Sequence, residues 1–438
     1  AVVKSTTKSN GASVGVTLAF NTIGWLAQNF LFNTVDALVG TNLGTQQPAE
    51  TQAYIMSSSV QAGNGLNLNT VSNAAVHAEV GSSTTSIVAT FGKGTSVSVG
   101  AVIAMNKVST KSRAYIYNAP VVSVTGGNIT LSTNDQASIW TNVKAASVSV
   151  GANAGKSTVV SVGLSISRNQ INADTQTYIS NSGVTANAGS ITLTATENST
   201  IDATSSASAI AVAASAAGAT SFSGGGADSI NHIQGKTNAY AANSTLTAQS
   251  LSLTANNTAK IDAHVKASSI ALAAGVGTSP GISIGASVAR NFIGWSEYGA
   301  ATPFEVLAYL QSSDVLAASG ISLSAISNSI ITANVDAMSV GAALSAGTGV
   351  AVSAAGLLVE NKISMLVKSY ISGIKLDGVR TVAGNLTLLA QDTSSIVANA
   401  LSASLAATFS PASGVAFAVG LSLARNIIQN DTAAYILN

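Results

Sequence analysis

The chain has 438 residues, a formal net charge of +1, and only 8% charged residues, against about 25% in ordinary globular proteins. So weak a charge excludes the basic stripe that nucleic acid demands. The absence of cysteine excludes a disulfide framework or a thiolate metal site.

A compact single domain rarely reaches this length, so several domains or a repeat array are expected. Hydrophobic residues make up 47% but aromatics only 5%; the apolar content is mostly Ala, Val, Ile and Leu. Alternation of β-branched with small residues favours strands. The longest low-polarity run, Ala209 to Ala219, falls short of the roughly 18 to 20 apolar residues of a membrane-spanning helix. The chain opens on Ala1, which reads as processing or excision with any signal peptide already removed.

In chain order, the first element is an alternating strand ending at Asn21, and it recurs. The Asn that closes it returns as Asn106, Asn169, Asn231, Asn291, Asn361 and Asn426. A Tyr follows each time: Tyr54, Tyr115, Tyr178, Tyr240, Tyr309, Tyr370, Tyr435. A Leu in an x-Leu/Ile-x-Leu strand comes next, at Leu68, Leu131, Leu193, Leu253, Leu323 and Leu388, in steps of 60 to 70 residues. Such self-similarity marks a repeat array. The units run approximately 1-80, 81-143, 144-205, 206-265, 266-335, 336-400 and 401-438, the first and last incomplete. A superperiod of four units lies on top: Asn21-Thr-Ile-Gly-Trp25 answers Asn291-Phe-Ile-Gly-Trp295, and Asn106-Lys-Val-Ser answers Asn361-Lys-Ile-Ser.

Two insertions break the period, 22-52 and 292-307. They hold Trp25, Phe30, Phe32, Trp295, Tyr298 and Phe304. As exposed loops with aromatics they are the candidate contact sites. Trp25 to Val39 is the one stretch with a helical pattern.

Within a unit the period is two. Val160, Val162, Leu164 and Ile166 fall on one face; Ser161, Gly163, Ser165, Ser167 and Asn169 fall on the other. That is a strand with one aliphatic face, which stacked neighbours would bury. The small face either packs inside a third layer, meets a neighbouring rod, or is simply hydrated. Gly- and Pro-bearing tetrads such as Ala154-Gly-Lys-Ser157 and Pro411-Ala-Ser-Gly414 read as hairpin turns. The fold expected is all-β: an elongated β-solenoid or stacked β-sandwich with no catalytic domain. With two strands per unit in each of two sheets it would be a rod of roughly 60 Å, and half that with one strand per coil.

No motif for chemistry stands up. Gly151-Ala-Asn-Ala-Gly155-Lys156-Ser157 has one residue too few between its glycines for a phosphate loop. Gly224-Gly-Gly-Ala-Asp228 occurs once, where a calcium roll needs tandem copies. His77, His232 and His264 lie in separate units without metal-ligand spacing. His77, Trp140 and Asp202 occupy one variable, surface position. The acids are scattered, with only Asp202 and Asp262 in register, so no carboxylate pair for hydrolysis is indicated. No enzyme and no cofactor is expected. The recurrent Asn side chains are read as a hydrogen-bonded ladder and the Tyr rings as a stack; a repeated ligand-binding row is the alternative.

The pattern Arg168-Asn169, Thr177-Tyr178-Ile179 and Ile191-Thr-Leu-Thr-Ala195, with Ala/Ser-rich strands between, resembles the β-strand repeats of very large bacterial surface proteins, the filamentous adhesin and leukotoxin-like group. The resemblance covers nearly the whole chain and implies a secreted protein serving adhesion or surface structure. The expectation is a structural segment of an extracellular fibre, joining other copies of itself or further repeats of a longer chain end to end. The rival is an adhesin gripping a cell-surface or host ligand through the aromatic insertions.

Overall fold

The computed structural model describes residues 1-26, 45-296, 299-373 and 377-437. Every strand pair in its sheets is parallel. One sheet runs through Val2–Ser9, Ala75–Thr90, Ser138–Asn153, Thr200–Ser215, Lys260–Gly275, Ile330–Ser345 and Ser395–Phe409 in chain order. A second holds Ala12–Ile23, Gly94–Tyr117, Ser157–Ser180, Ala219–Ala242, Ser279–Ile293, Thr348–Ile363 and Ser413–Ile428. A third collects the shorter strands around Ile129–Asp135 and Ile191–Glu197. Each repeat unit is thus one coil, which visits the three sheets in turn.

This overturns the stacked β-sandwich and the elongated rod. The glycine-bearing tetrads are not hairpin turns. Ser138–Asn153 and Ser157–Ser180 flank one of them, yet each pairs only with its equivalent in the neighbouring coils. Among the described residues, antiparallel pairing is confined to the isolated bridges Trp25–Gln46 and Trp295–Ala301. Seven coils at about 4.8 Å stack to roughly 30 Å, whereas a sixteen-residue strand at about 3.3 Å per residue is roughly 53 Å long. The body is broader than its stack is high.

Each coil has two parts. In the barrel-like part, all three sheets enclose the main core. Its columns include Ile139, Ile201, Ile261 and Ile331 from the first sheet, Ile116 and Ile179 from the second, and Leu131, Leu193, Leu253 and Leu323 from the third, all buried. The leucines stand in register from Leu68 to Leu388, with Leu388 half-buried at the open end. The corner from second to third sheet uses a left-handed residue in each of the first six coils: Ser57, Asn118, Asn181, Asn243, Ser312 and Gly373, with φ between 45° and 58°. Asn and Gly tolerate that conformation best.

The rest of the coil is a thin two-layer arm made by the first and second sheets alone, and here the expected faces are reversed. Ser161, Ser165 and Ser167 are buried between the layers, while Val160, Val162, Leu164 and Ile166 point outward. The register Gly15–Gly100–Gly163–Gly225–Gly285 makes a glycine column down the inner face. A Cβ on Gly163 would come within 2.5 Å of the Ser208 carbonyl oxygen, and one on Gly225 equally close to that of Ser268. Serines fasten the layers: Ser161 Oγ donates to the Ser147 carbonyl at 2.9 Å, and Ser165 Oγ meets Ser205 Oγ at 2.8 Å. Inner hydroxyls satisfied this way lose little on burial, and at the glycine column the gap admits no Cβ.

Truncating Leu253 to Ala should cost about 2 to 5 kcal/mol, because the side chain is wholly buried between Leu193 and Leu323. Urea unfolding of the variant checks this; a change below 1 kcal/mol (about fivefold in the equilibrium constant) would count against that packing.

Candidate functional site

The recurrent asparagines meet at the junction of arm and barrel. Asn21, Asn106, Asn169, Asn231, Asn291, Asn361 and Asn426 form one continuous ladder. Each Nδ2 donates to the Oδ1 of the next coil's Asn at 2.8 Å. The five middle members are buried. An amide can donate and accept along one axis at strand spacing, which no other small side chain does as well. With each interior Nδ2 and Oδ1 used by its neighbours, the buried rungs leave no free row for a ligand.

The tyrosines lie on the outside of the second sheet. Tyr54, Tyr115, Tyr178, Tyr240, Tyr309, Tyr370 and Tyr435 stack with centroids 4.7 to 5.2 Å apart and interplanar angles of 11° or less. Burial raises the hydroxyl pKa of Tyr178, Tyr240 and Tyr309 and pushes that of Tyr370 up to about 12.

The insertions are clamps over the outer face just past the Asn ladder. Gly24 and Gly294, with φ of 74° and 67°, turn the chain out. Lys107 lies 5.0 Å over the Trp25 ring; Lys362 lies 5.1 Å over Trp295 and 5.4 Å over Phe292. The two Trp–Lys clamps are the structural form of the four-unit superperiod, and cation–π attraction strengthens as the site dries. Glu360 holds Lys362 at 2.7 Å. His232, driven to neutrality by burial with its pKa lowered to about 4, turns Nε2 toward the Trp295 carbonyl.

This corrects the expectation of exposed aromatic contacts. Trp295 is only 8% exposed and Phe304 is fully buried, the first under its cation–π partner and the second at the head of the core-facing strand Phe304–Gln311. Trp25 is half-buried. Phe30, Phe32 and Tyr298, and nearly all of the stretch with a helical pattern, lie outside the described residues.

The described parts of the two insertions reach the second sheet over the third and fourth coils: Asn172 Nδ2 donates to Gln46 Oε1 at 3.4 Å and Gln234 Nε2 to Thr302 Oγ1 at 2.7 Å. A groove of about 380 Å³ lies there, floored by Asn172, Asp174, Gln234 and Lys236 and walled by Gln46, Pro48, Pro303 and Glu305. Asp174 in its floor binds Arg113 at 2.5 Å and sits 3.8 Å from Lys236. His77 and Trp140 stack at 4.0 Å on the outer face of the first sheet, with Asp202 in register beside them.

One column escaped the sequence reading. Four residues beyond each landmark Leu stands a polar residue: Ser72, Asp135, Glu197, Asn257, Ser327 and Asp392, in register. Asp135 and Glu197 are completely buried. Thr175 Oγ1 donates to Glu197 at 2.7 Å and Ser112 Oγ to Asp135 at 2.8 Å. Burial, reinforced by the neighbouring Asp135, raises the Glu197 carboxyl to about 8; burial raises Asp135 as well. Carboxyl groups one strand spacing apart in a core cannot both ionise cheaply. The polar residue at a fixed offset from the leucine was the available signal, but only superposition of coils shows that it points inward.

The raised Glu197 pKa makes a pH prediction. The unfolded chain loses this proton near the ordinary glutamate value of 4.5 and the folded chain only near 8, so stability is full below about 4.5 and declines as pH rises to about 8. Glu197→Gln, which mimics the protonated acid, should flatten that decline in urea titrations between pH 5 and 8; an unchanged slope would reject the assignment. In comparisons with known proteins, no family model, curated protein or solved structure matches this chain.

Proposed function

We propose that the chain is a structural segment of an extracellular or cell-surface filament, built by adding coils end to end. One observation carries this: each coil presents the same edge to the next. The amide ladder runs in register from Asn21 to Asn426 and the aromatic stack from Tyr54 to Tyr435, and Ile436 continues the inward column of Ile116, Ile179 and Ile371. A parallel sheet edge with an amide ladder, an aromatic stack and an aliphatic column is a template for another coil. That coil is further polypeptide or a second copy. The surface location draws on the absence of cysteine and on the resemblance to β-strand repeats of large bacterial surface proteins.

In electron micrographs the particles should extend beyond roughly 30 Å along the stacking axis, the height of seven coils at about 4.8 Å. Ile436→Lys, which plants a charge in the inward column, should reduce them to single-chain height. Single-chain particles of the unaltered chain at micromolar concentration would refute end-to-end addition.

An adhesive role draws support from the groove between the clamps, whose Asn172, Gln234 and Gln46 amides suit a polar, uncharged ligand. Beads coated with the chain should bind cells, and Asn172→Ala with Gln234→Ala should reduce capture at least fivefold. Equal capture by both proteins would exclude the groove.

A further inference from the structure

The outer face of the arm on the second sheet is an apolar plate. Leu164 and Ile284, in the middle of the stack, are 39% and 43% exposed, and Val14 and Val16 are 60% and 57% exposed. These exposures follow from the reversal inside the arm: with serine and glycine between the layers, the aliphatic alternates have only the outside left. Each outward residue of a flat sheet covers about 32 Å², from a 4.8 Å strand spacing and two 3.3 Å rises. Four columns over seven coils therefore make about 900 Å². Apolar patches on monomers seldom exceed a few hundred Å², and about 800 Å² per partner is what a stable protein interface buries.

We infer that this plate is an interface with a second copy of the chain, docked face to face about a two-fold axis. The plate has fixed relief. In one column, Val16, Leu164 and Leu421 project where Gly226 and Gly356 leave nothing; Leu164 already leans to within 3.3 Å of where a Gly226 Cβ would be, and the space over Gly356 is open. Ridges and dents in one column fit an isologous partner, whose ridges meet these dents. Polar residues border part of the plate on each side: Thr95, Thr158 and Thr220 toward the arm's tip in the second to fourth coils, and Arg290, Glu360 and Arg425 toward the barrel in the last three. Asp228, within the plate, is paired to Arg290 at 3.3 Å. An ion pair at the border suits a protein interface, whose rim stays wet, and opposes insertion into hydrocarbon.

This pairing is lateral and does not depend on end-to-end addition. The test uses the 438-residue chain in sedimentation and negative-stain microscopy. Expected for the unaltered chain are two-layered particles, with mass an even multiple of 43.3 kDa. Leu164→Lys with Ile284→Lys should give single-layered particles with half the mass, the same far-UV circular dichroism, and an unchanged height along the stack. Leu164→Ser with Ile284→Ser provides the same loss, in weaker form, if the lysines impair folding. Ile436→Lys should shorten stacks and leave the layers paired, so the two modes of association fail separately. Single layers in the unaltered chain would overturn the proposal, as would doubled layers in both double variants. Flotation of a single-layered chain with phosphatidylcholine–phosphatidylglycerol vesicles would overturn it in favour of a bilayer partner.

Discussion

The close approach of two sheet backbones along the glycine column is the constraint from which the rest follows. A side chain at Gly163 would collide with the Ser208 carbonyl, so the arm's interior is dominated by Gly, Ala and Ser, with a Thr or Val such as Thr84 or Val159 where a glycine stands close by. Larger residues of the same alternating strands are then forced outward. Sheets filled with ordinary side chains lie about 10 Å apart; these lie nearer, and their cohesion comes from serine hydroxyls bonded to opposite carbonyls and from the dense contact of small atoms. An apolar exterior is the direct consequence of a small-residue interior.

The barrel-like part works by the usual rule, with aliphatic columns inside. Between the two regimes stands the Asn ladder, where the inner face passes from Ala104 to Val108. Its amides satisfy one another along the stack, so a buried polar row is tolerated there and also locks the register of successive coils, since a one-residue slip would orphan every rung. The tyrosine stack does the same on the outside. The insertions then brace the outer face at two points, each by a Trp over a buried Lys of the next coil, and leave the groove between them.

The buried carboxyl pair is the costly element. Asp135 and Glu197 occupy a column that the other coils fill with Ser, Asn or the half-buried Asp392, and their hydroxyl partners offset only part of the desolvation. Burial and the neighbouring Asp135 favour the protonated form of Glu197, which ties the stability of the third and second coils to pH in a way the neutral rungs do not share.

The amino-acid sequence by itself determined the strand content, the unit of 60 to 70 residues, the four-unit superperiod and the identity of the Asn and Tyr columns. All of these are properties of periodicity, and periodicity survives without coordinates. It could not say which face of an alternating strand is inside, because a period of two is the same pattern read from either side. Val160 and Ser161 alternate identically whichever points inward. Nor could it tell a tight turn between paired strands from one between facing sheets, since both are made by the same Gly- and Ser-bearing tetrads. The tertiary structure decided these, and with them the parallel pairing, the burial of Trp295 and Phe304 and the inward turn of Glu197. Each depends on which backbone lies opposite across the layer, and that is set by the closing of the coil.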